Sequence, residues 1–600
     1  MKRSSEALGS IILKKQGKRK YYYYSRSRRV KIDPNASGKT KGSGKSKVVT
    51  EQIYLGKAED VLKKLSRLTE AQEPVELESK QFGLPMALFS MAEKIGLRDV
   101  INRVVPGKVK GISVGDFVLL AAINRVGNQT PKEHMGKWYK KTDLGKLQGI
   151  DAKKLNSKNF WLAFDKIVSE KKVKENKEKR GLRSNEKVDI DELEKVLDDE
   201  KIKAIEMGIW ENLFNKLGAI LDLVLYDTTN FYTFHQDSTP NMLAQYGRNK
   251  EGQNQRRQVG LQLAIIKDLG IPVFHNVYAG HQNDVSLLPT AIRTLVRRYM
   301  EFTQSTDGFV IVFDKGNNSK KNIELLGSVK PRIDFVGSLT PSHHKDLVRI
   351  PLDRFTEKIG HHLVHRTTKK VFGVERTVVI TYHEPTYQRK VKAFEAQMKK
   401  VMKEAKEYFE TIADEPTDEV RAKMETFLKL KKIGTSQALR FYNFKVTHNG
   451  WVNRFSLRRK RSEVAFKKAC FGKRLLFTSM KNLPTRDIID YYKGGSQIED
   501  AFHHIKDRDL VSYYPARHWT DSKLRVHAFV CVIAFLLLKL LSYEASIAGI
   551  ELSTKLLVEE LDDIRIVILA YSKRRVVRKP TKMSPLQQRL FDLFELHRFT

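Results

Sequence analysis

Residues 221–232 read LDLVLYDTTNFY, and residues 308–316 read GFVIVFDKG. In each, a strand-length run of aliphatic and aromatic side chains ends on an aspartate, Asp227 or Asp314, with small polar or turn-forming residues after it. A carboxylate at a strand end, with a buried stem and a loop beyond, is how a rigid scaffold presents a hard-cation ligand. The same pattern also fits an aspartate that merely ends its strand or caps the following turn. Further short apolar runs surround these two: VGLQLAIIKD (259–268), IPVFHNVYAG (271–280) and IDFVGSL (333–339), with helical VSLLPTAIRTLVRRYMEF (285–302) between. That alternation predicts an α/β domain, a mixed sheet flanked by helices.

A third acidic candidate lies in YYKGGSQIEDAFHHIK (491–506). Tyr492, Glu499 and Lys506 are spaced by seven, which puts all three on one face of a continuous helix. Alternatively, Ser496-x-x-Glu499 is a capping box behind a break at Gly494 and Gly495, and Tyr492 then belongs to another element. His503, four residues after Glu499, is within reach of the same face, whereas His503 and His504 point in different directions and form no joint site. Three carboxylates suit magnesium or manganese, and two such ions about 4 Å apart can drive in-line phosphoryl transfer.

The 600 residues carry 110 Lys and Arg against 70 Asp and Glu, a formal charge of +40 that calls for a polyanionic partner. An anionic membrane is one candidate, but the longest apolar run, Ala528–Leu538, stops at Lys539 and falls short of the roughly 20 residues of a span. It reads instead as a buried helix backing the sheet. The opening residues do not read as a signal peptide. Two cysteines, Cys470 and Cys531, build neither a disulfide framework nor a cysteine-rich zinc site and suit a reducing, cytoplasmic setting. Nucleic acid is the expected partner.

Along the chain we expect a basic β-rich module over 1–60, a helical region over 61–215, the first part of the α/β core over 216–345, an insertion over 346–470, the second part of the core over 471–545, and a basic helical tail over 546–600. The first two are candidate DNA-binding regions. In the first, GKTKGSGKS lacks the glycine of a phosphate-binding loop, since that position holds Lys39, so the stretch reads as a basic loop touching DNA backbone or as a disordered tail.

With these blocks in place, the chain resembles the DDE transposases of prokaryotic insertion sequences, in the group whose glutamate lies in a tyrosine-arginine-glutamate-lysine signature. LVLYDTTNFY resembles the first-aspartate strand, and YGRNKEGQNQRRQVGLQLAIIKDLGIPVFHNVYAGHQND the next two strands, with Gly280 and Asp284 as its Gly-x-x-x-Asp ending. FVIVFDKGNNSKKNIELL resembles the second-aspartate block, and GKRLLFTSMKNLPTRDIIDYYKGGSQIEDAFHHIKDRDLVSYYPARHWTDSKLRVHAF the glutamate block. VVTEQIYLGKAEDV is similar to the amino-terminal module of one branch. The resemblance covers about half the chain, in the expected order.

It implies a ribonuclease-H-like core interrupted by an insertion between the second aspartate and the glutamate. It further implies catalysis by Asp227, Asp314 and Glu499 holding two Mg2+ or Mn2+ ions, with transposon terminal inverted repeats and target DNA as partners and a homodimer in the DNA complex. Tyr492 and Lys506 would hold the phosphate backbone near the cleaved end. Arg248, Lys250, Arg256 and Arg257 lie in a basic loop that either contacts DNA or is a solvated hairpin. Trp451 either stacks on an extruded base or is a buried core residue. One departure stands out, for the signature's arginine position is Gly495 here, which leaves its phosphate contact unassigned. A metal-dependent nuclease on the same core, without strand transfer, and a DNA-binding relative without catalysis are the competing readings.

Overall fold

The computed structural model describes residues 9–31, 46–69, 74–127, 129–183, 186–236, 239–250, 252–303, 307–450, 452–514, 516, 518–571 and 576–600. Trp451 and the basic loop up to residue 45 lie outside the described residues. The chain forms two compact units, Met1–Glu78 with Val567–Lys579, and Ser79–Ile566 with Pro580–Thr600.

In the first unit, strands Ser10–Gln16, Arg19–Lys31 and Ser46–Gly56 make an antiparallel meander. Tyr54 packs against Tyr21 and Tyr23 with ring centroids 6.0 and 5.2 Å apart, and Lys14 lies over Tyr23. Such cross-strand aromatic pairs hold a small sheet that has little core beneath it.

The second unit is built on a nine-stranded sheet. Its strands are β1 (Leu223–Tyr232), β2 (Gln258–Ile266), β3 (Pro272–Ala279), β4 (Phe309–Phe313), β5 (Ile333–Ser338), β6 (Glu357–Ile359), β7 (His362–Val371), β8 (Val374–Tyr382) and β9 (Lys473–Thr478). They run in the order β6-β7-β8-β9-β5-β4-β1-β2-β3. β1, β2 and β3 form an antiparallel meander, β4 and β5 run parallel to β1 on its other side, and β9 returns antiparallel to β5. Every residue of β2 and β3 is buried, as expected where helices cover both faces of a sheet.

Helix Asp521–Ile547 is the main support. By length and composition it could cross a membrane, yet 94% of its apolar window is buried inside the protein. It packs on β3 and on helices Gly83–Lys94, Val114–Arg125 and Gly495–Lys506. The first two of these are apolar nearly all round and buried accordingly. The helical region expected over 61–215 is therefore, from Ser79 onward, part of the same unit as the sheet rather than a module of its own.

A buried polar network ties it there. Glu206 of helix Glu200–Leu217 pairs with His275 of β3 and with Arg298 of helix Asp284–Thr303. Arg525 Nη1 donates to His275 Nε2 at 2.7 Å, and its Nε donates to Asp199 at 2.7 Å. His275 is thus a neutral imidazole donating through Nδ1, and burial holds it below its usual pKa.

The segment 346–470 departs from the expected insertion. Residues 357–382 supply three strands, β6 to β8, of the main sheet, because VERTVVITY pairs along its whole length with Leu363–Val371 and most of it with β9. The part with a core of its own starts at helix Glu384–Ile412, which packs on helix Thr417–Leu430 around Phe394, Met398, Val420, Met424 and Phe441.

Candidate active site

β1 and β4 pair in parallel with Val312 opposite Leu225. Two residues further along that register, Asp314 stands beside Asp227, on strands spaced about 4.8 Å apart. A third carboxylate joins them. Asp284, at the start of helix Asp284–Thr303, accepts from Thr228 Oγ1 at 2.8 Å. Asp284 stands here because the chain turns sharply after β3. A Cβ at Gly280 would meet the carbonyl oxygens of Gln258 and Gln245 at 2.1 and 2.5 Å, so only glycine lets the loop 241–250 close against the ends of β2 and β3.

That loop delivers Lys250. Its Nζ lies 3.3 Å from Asp284 Oδ2 and donates to the carbonyl oxygen and Oγ1 of Thr228 at 2.6 and 2.9 Å. Burial pushes the carboxyl of Asp227 up to about 6, Lys250 counters the rise, and Asp284 and Asp314 add to it. Asp314 behaves oppositely. Burial raises it, but the N–H of Lys315 and the hydroxyls of Ser338 and Tyr492 more than offset this and leave it below the usual aspartate value. The two hydroxyls donate to Asp314 Oδ1 at 2.8 and 3.0 Å. Two neighbouring carboxylates are thereby driven apart in proton affinity, a feature common at functional sites.

Tyr492 is thus engaged with Asp314 and does not present its hydroxyl to a DNA backbone. Burial and the Asp314 charge push its phenol up to about 12, so it stays a donor. Gly494 keeps right-handed helical angles (φ −52°, ψ −24°) between helices Thr485–Lys493 and Gly495–Lys506. Ser496 donates back to the Lys493 carbonyl at 3.0 Å, so the capping box does not form. Glu499 is exposed on the second helix, which packs against β1 and β2. Among the described residues it makes no hydrogen bond or ion pair, and no three His, Cys, Asp or Glu side chains are gathered closely enough to hold a metal ion. The structure brings Asp227, Asp284 and Asp314 to one sheet end and does not bring Glu499 into contact with them.

The remaining candidates divide. The Lys506 ammonium lies over the Phe231 ring at 5.4 Å. Arg248 is exposed. Arg256 is half-buried over Tyr232 and Phe234. Arg257, the residue before β2 and expected in a loop that contacts DNA or solvent, is instead buried, and its guanidinium donates to the Thr239 carbonyl at 2.8 Å. His503 is exposed and His504 half-buried, the latter packed on Phe535 and held down to about 4, first by burial and then by Lys539. They diverge, as adjacent helical residues must.

No protein-family model matches the chain, and no curated protein matches it in sequence. Among solved structures, the chain is similar to a piggyBac transposase seen by cryo-EM in a synaptic complex with hairpin DNA. The TM-score is 0.36 and the identity 10%, over 81% of this chain and 82% of that one. Likeness at this level carries no argument about the site, which rests on its own residues.

Sequence reading passed over Asp284 as a partner of Asp227, although it closes the GHQND motif after β3, and over Ser338, whose place at the end of a strand beside β4 was the available signal.

Proposed function

We propose that the chain is a DNA transposase, cutting at the ends of a mobile element and joining them to target DNA by metal-dependent phosphoryl transfer. The observation that carries this reading is the placement of Asp314, the residue after β4, beside Asp227 of the parallel neighbour β1, with Asp227 raised and Asp314 lowered in pKa. The strand order supports a ribonuclease-H-like core, with an antiparallel meander on one side of the aspartate-bearing β1 and two parallel strands on the other. The sequence blocks quoted above and the +40 charge point the same way.

The donor set fits a hard divalent cation. The acids are oxygen ligands, and the Lys250 ammonium beside Asp284 is already held against that carboxylate and Thr228. Asp227 and Asp314 would hold Mg2+ or Mn2+, with the unpartnered Glu499 as the third ligand drawn from the neighbouring helix. When bound, such ions activate the attacking oxygen and stabilise the leaving one. The protein's own part is orientation. Tyr492 and Ser338 fix Asp314 in its ionised form, and Thr228 aligns Asp284. DNA would be the substrate, two copies of the chain would pair two ends, and the setting would be a prokaryotic cytoplasm.

The test uses full-length protein with duplexes carrying the inverted repeats that flank its gene. Wild type should cleave and join ends in Mg2+ or Mn2+. Asp227→Asn, Asp314→Asn and Glu499→Gln should each bind the duplex and neither cleave nor join. Cleavage without joining of precut ends would favour a nuclease, and unchanged activity in all three variants would remove the reading.

A further inference from the structure

Gly495 stands at the arginine position of the signature, and the structure leaves open space beside it, since a Cβ there would meet nothing within 4 Å. A guanidinium reaches the same end of the sheet from elsewhere. Arg474 lies in β9, whose Leu476 pairs with Ser338, the residue that donates to Asp314. Its guanidinium lies over the ring of Tyr492 at 5.5 Å, and Tyr492 itself donates to Asp314. Asp314, Tyr492 and Arg474 therefore form a contiguous row.

Arg474 is exposed and, among the described residues, has no carboxylate partner. Its surroundings are basic. Burial depresses the pKa of His362, and the charges of Lys493, His383, Arg474 and His361 lower it further. Lys493 likewise has no acidic partner among the described residues. Unpaired cations held together against their mutual repulsion mark a place that an anion would complete. The aromatic face beneath the guanidinium keeps its planar fork in place with little loss of freedom on binding.

We propose that Arg474 binds a phosphodiester of the DNA strand next to Asp314, supplying from β9 the contact that Gly495 cannot make from the helix. This rests on the transposase reading and adds the residue that seats the strand. A phosphodiester fits better than a carboxylate ligand because the row begins at a candidate phosphoryl-transfer centre and its open side is solvent.

The experiment compares wild type, Arg474→Ala, Arg474→Lys and Asp227→Asn as full chains. It measures cleavage of end DNA and the dependence of binding on salt. Arg474 is exposed, so its substitution should leave folding intact. Arg474→Ala should slow cleavage about 10- to 100-fold, as for the loss of a charge-assisted hydrogen bond, and lower the slope of log affinity against log salt by about one. Arg474→Lys should restore the slope but only part of the rate, because an ammonium keeps the charge and loses the fork. Recovery of cleavage in an Arg474→Ala, Gly495→Arg double variant would show that what was lost is a guanidinium at this phosphate. Wild-type rate and slope in Arg474→Ala, with Asp227→Asn inactive, would overturn the assignment alone. Full activity in Asp227→Asn would overturn the transposase reading and this assignment with it.

Discussion

The ammonium of Lys250 lies 3.3 Å from Oδ2 of Asp284 while donating to both oxygens of Thr228, the residue that follows Asp227. Lys250 thus offsets the charge of Asp284 and of nearby Asp227. Lys250→Gln removes the ammonium and leaves the acids to repel one another. The variant should melt below wild type at pH 8, and millimolar Mg2+ should recover most of the difference. A melting temperature indifferent to the ion would refute a divalent site here.

Asp227 offers a pH signature. Its folded pKa of about 6 lies above the usual 3.8, so folding favours the protonated form. That contribution is complete below the unfolded value and is lost as pH rises through about 6, which leaves an ionised, crowded carboxylate at pH 8. Asp227→Asn should therefore be more stable than wild type at pH 8, by as much as about 3 kcal/mol, and equal to it near pH 4. Thermal melts at the two pH values decide the matter, and a destabilised variant at pH 8 would contradict the assigned environment.

Tyr492→Phe removes a donor that keeps Asp314 ionised. Asp314 should move up toward its ordinary value, a shift read by following its carboxyl through a pH titration by NMR. The cleavage rate at neutral pH should fall by about tenfold, the worth of one hydrogen bond to a charged group. An unshifted Asp314 titration would mean that the bond does not set the state of Asp314.

Glu206 anchors the helical region to the sheet through Arg298 and His275. Burial alone would raise its carboxyl, but Arg298 and His275 hold it down to about 2, below the usual 4.5. Its stabilisation is present above the unfolded value and is lost as pH falls through about 2. Glu206→Gln should cost about 3–5 kcal/mol at pH 7, since it strands the Arg298 charge in the interior. The gap between the two proteins should close in strong acid. A neutral effect at pH 7 would show that the network does not hold these elements together.

Much of the fold was legible because local order is written in neighbours. The run before Asp314 forms a strand that stops there and Ala528–Leu538 lies in a core helix, as their composition suggests, whereas the strand expected to end at Asp227 continues through it to Tyr232 because TTNFY pairs with β2. The strand texture of Val374–Tyr382, VERTVVITY, is legible in its β-branched run. Its sheet is not, because the pairing of Val374–Tyr382 with residues about a hundred positions later depends on which edges meet.

The site shows the same division. Residue types and spacing alone determined that this is a basic chain with an α/β sheet that carries Asp227 and Asp314 on or just after neighbouring strands, since burial of apolar runs and the charge balance require no knowledge of distant contacts. Only the tertiary structure decided that Asp284 and Lys250 stand with Asp227, that Arg257 turns inward, that Tyr492 serves Asp314, and that Arg474 comes to lie where Gly495 offers nothing. Those outcomes depend on energies between groups tens to hundreds of residues apart, and such groups acquire neighbours only once the sheet has closed.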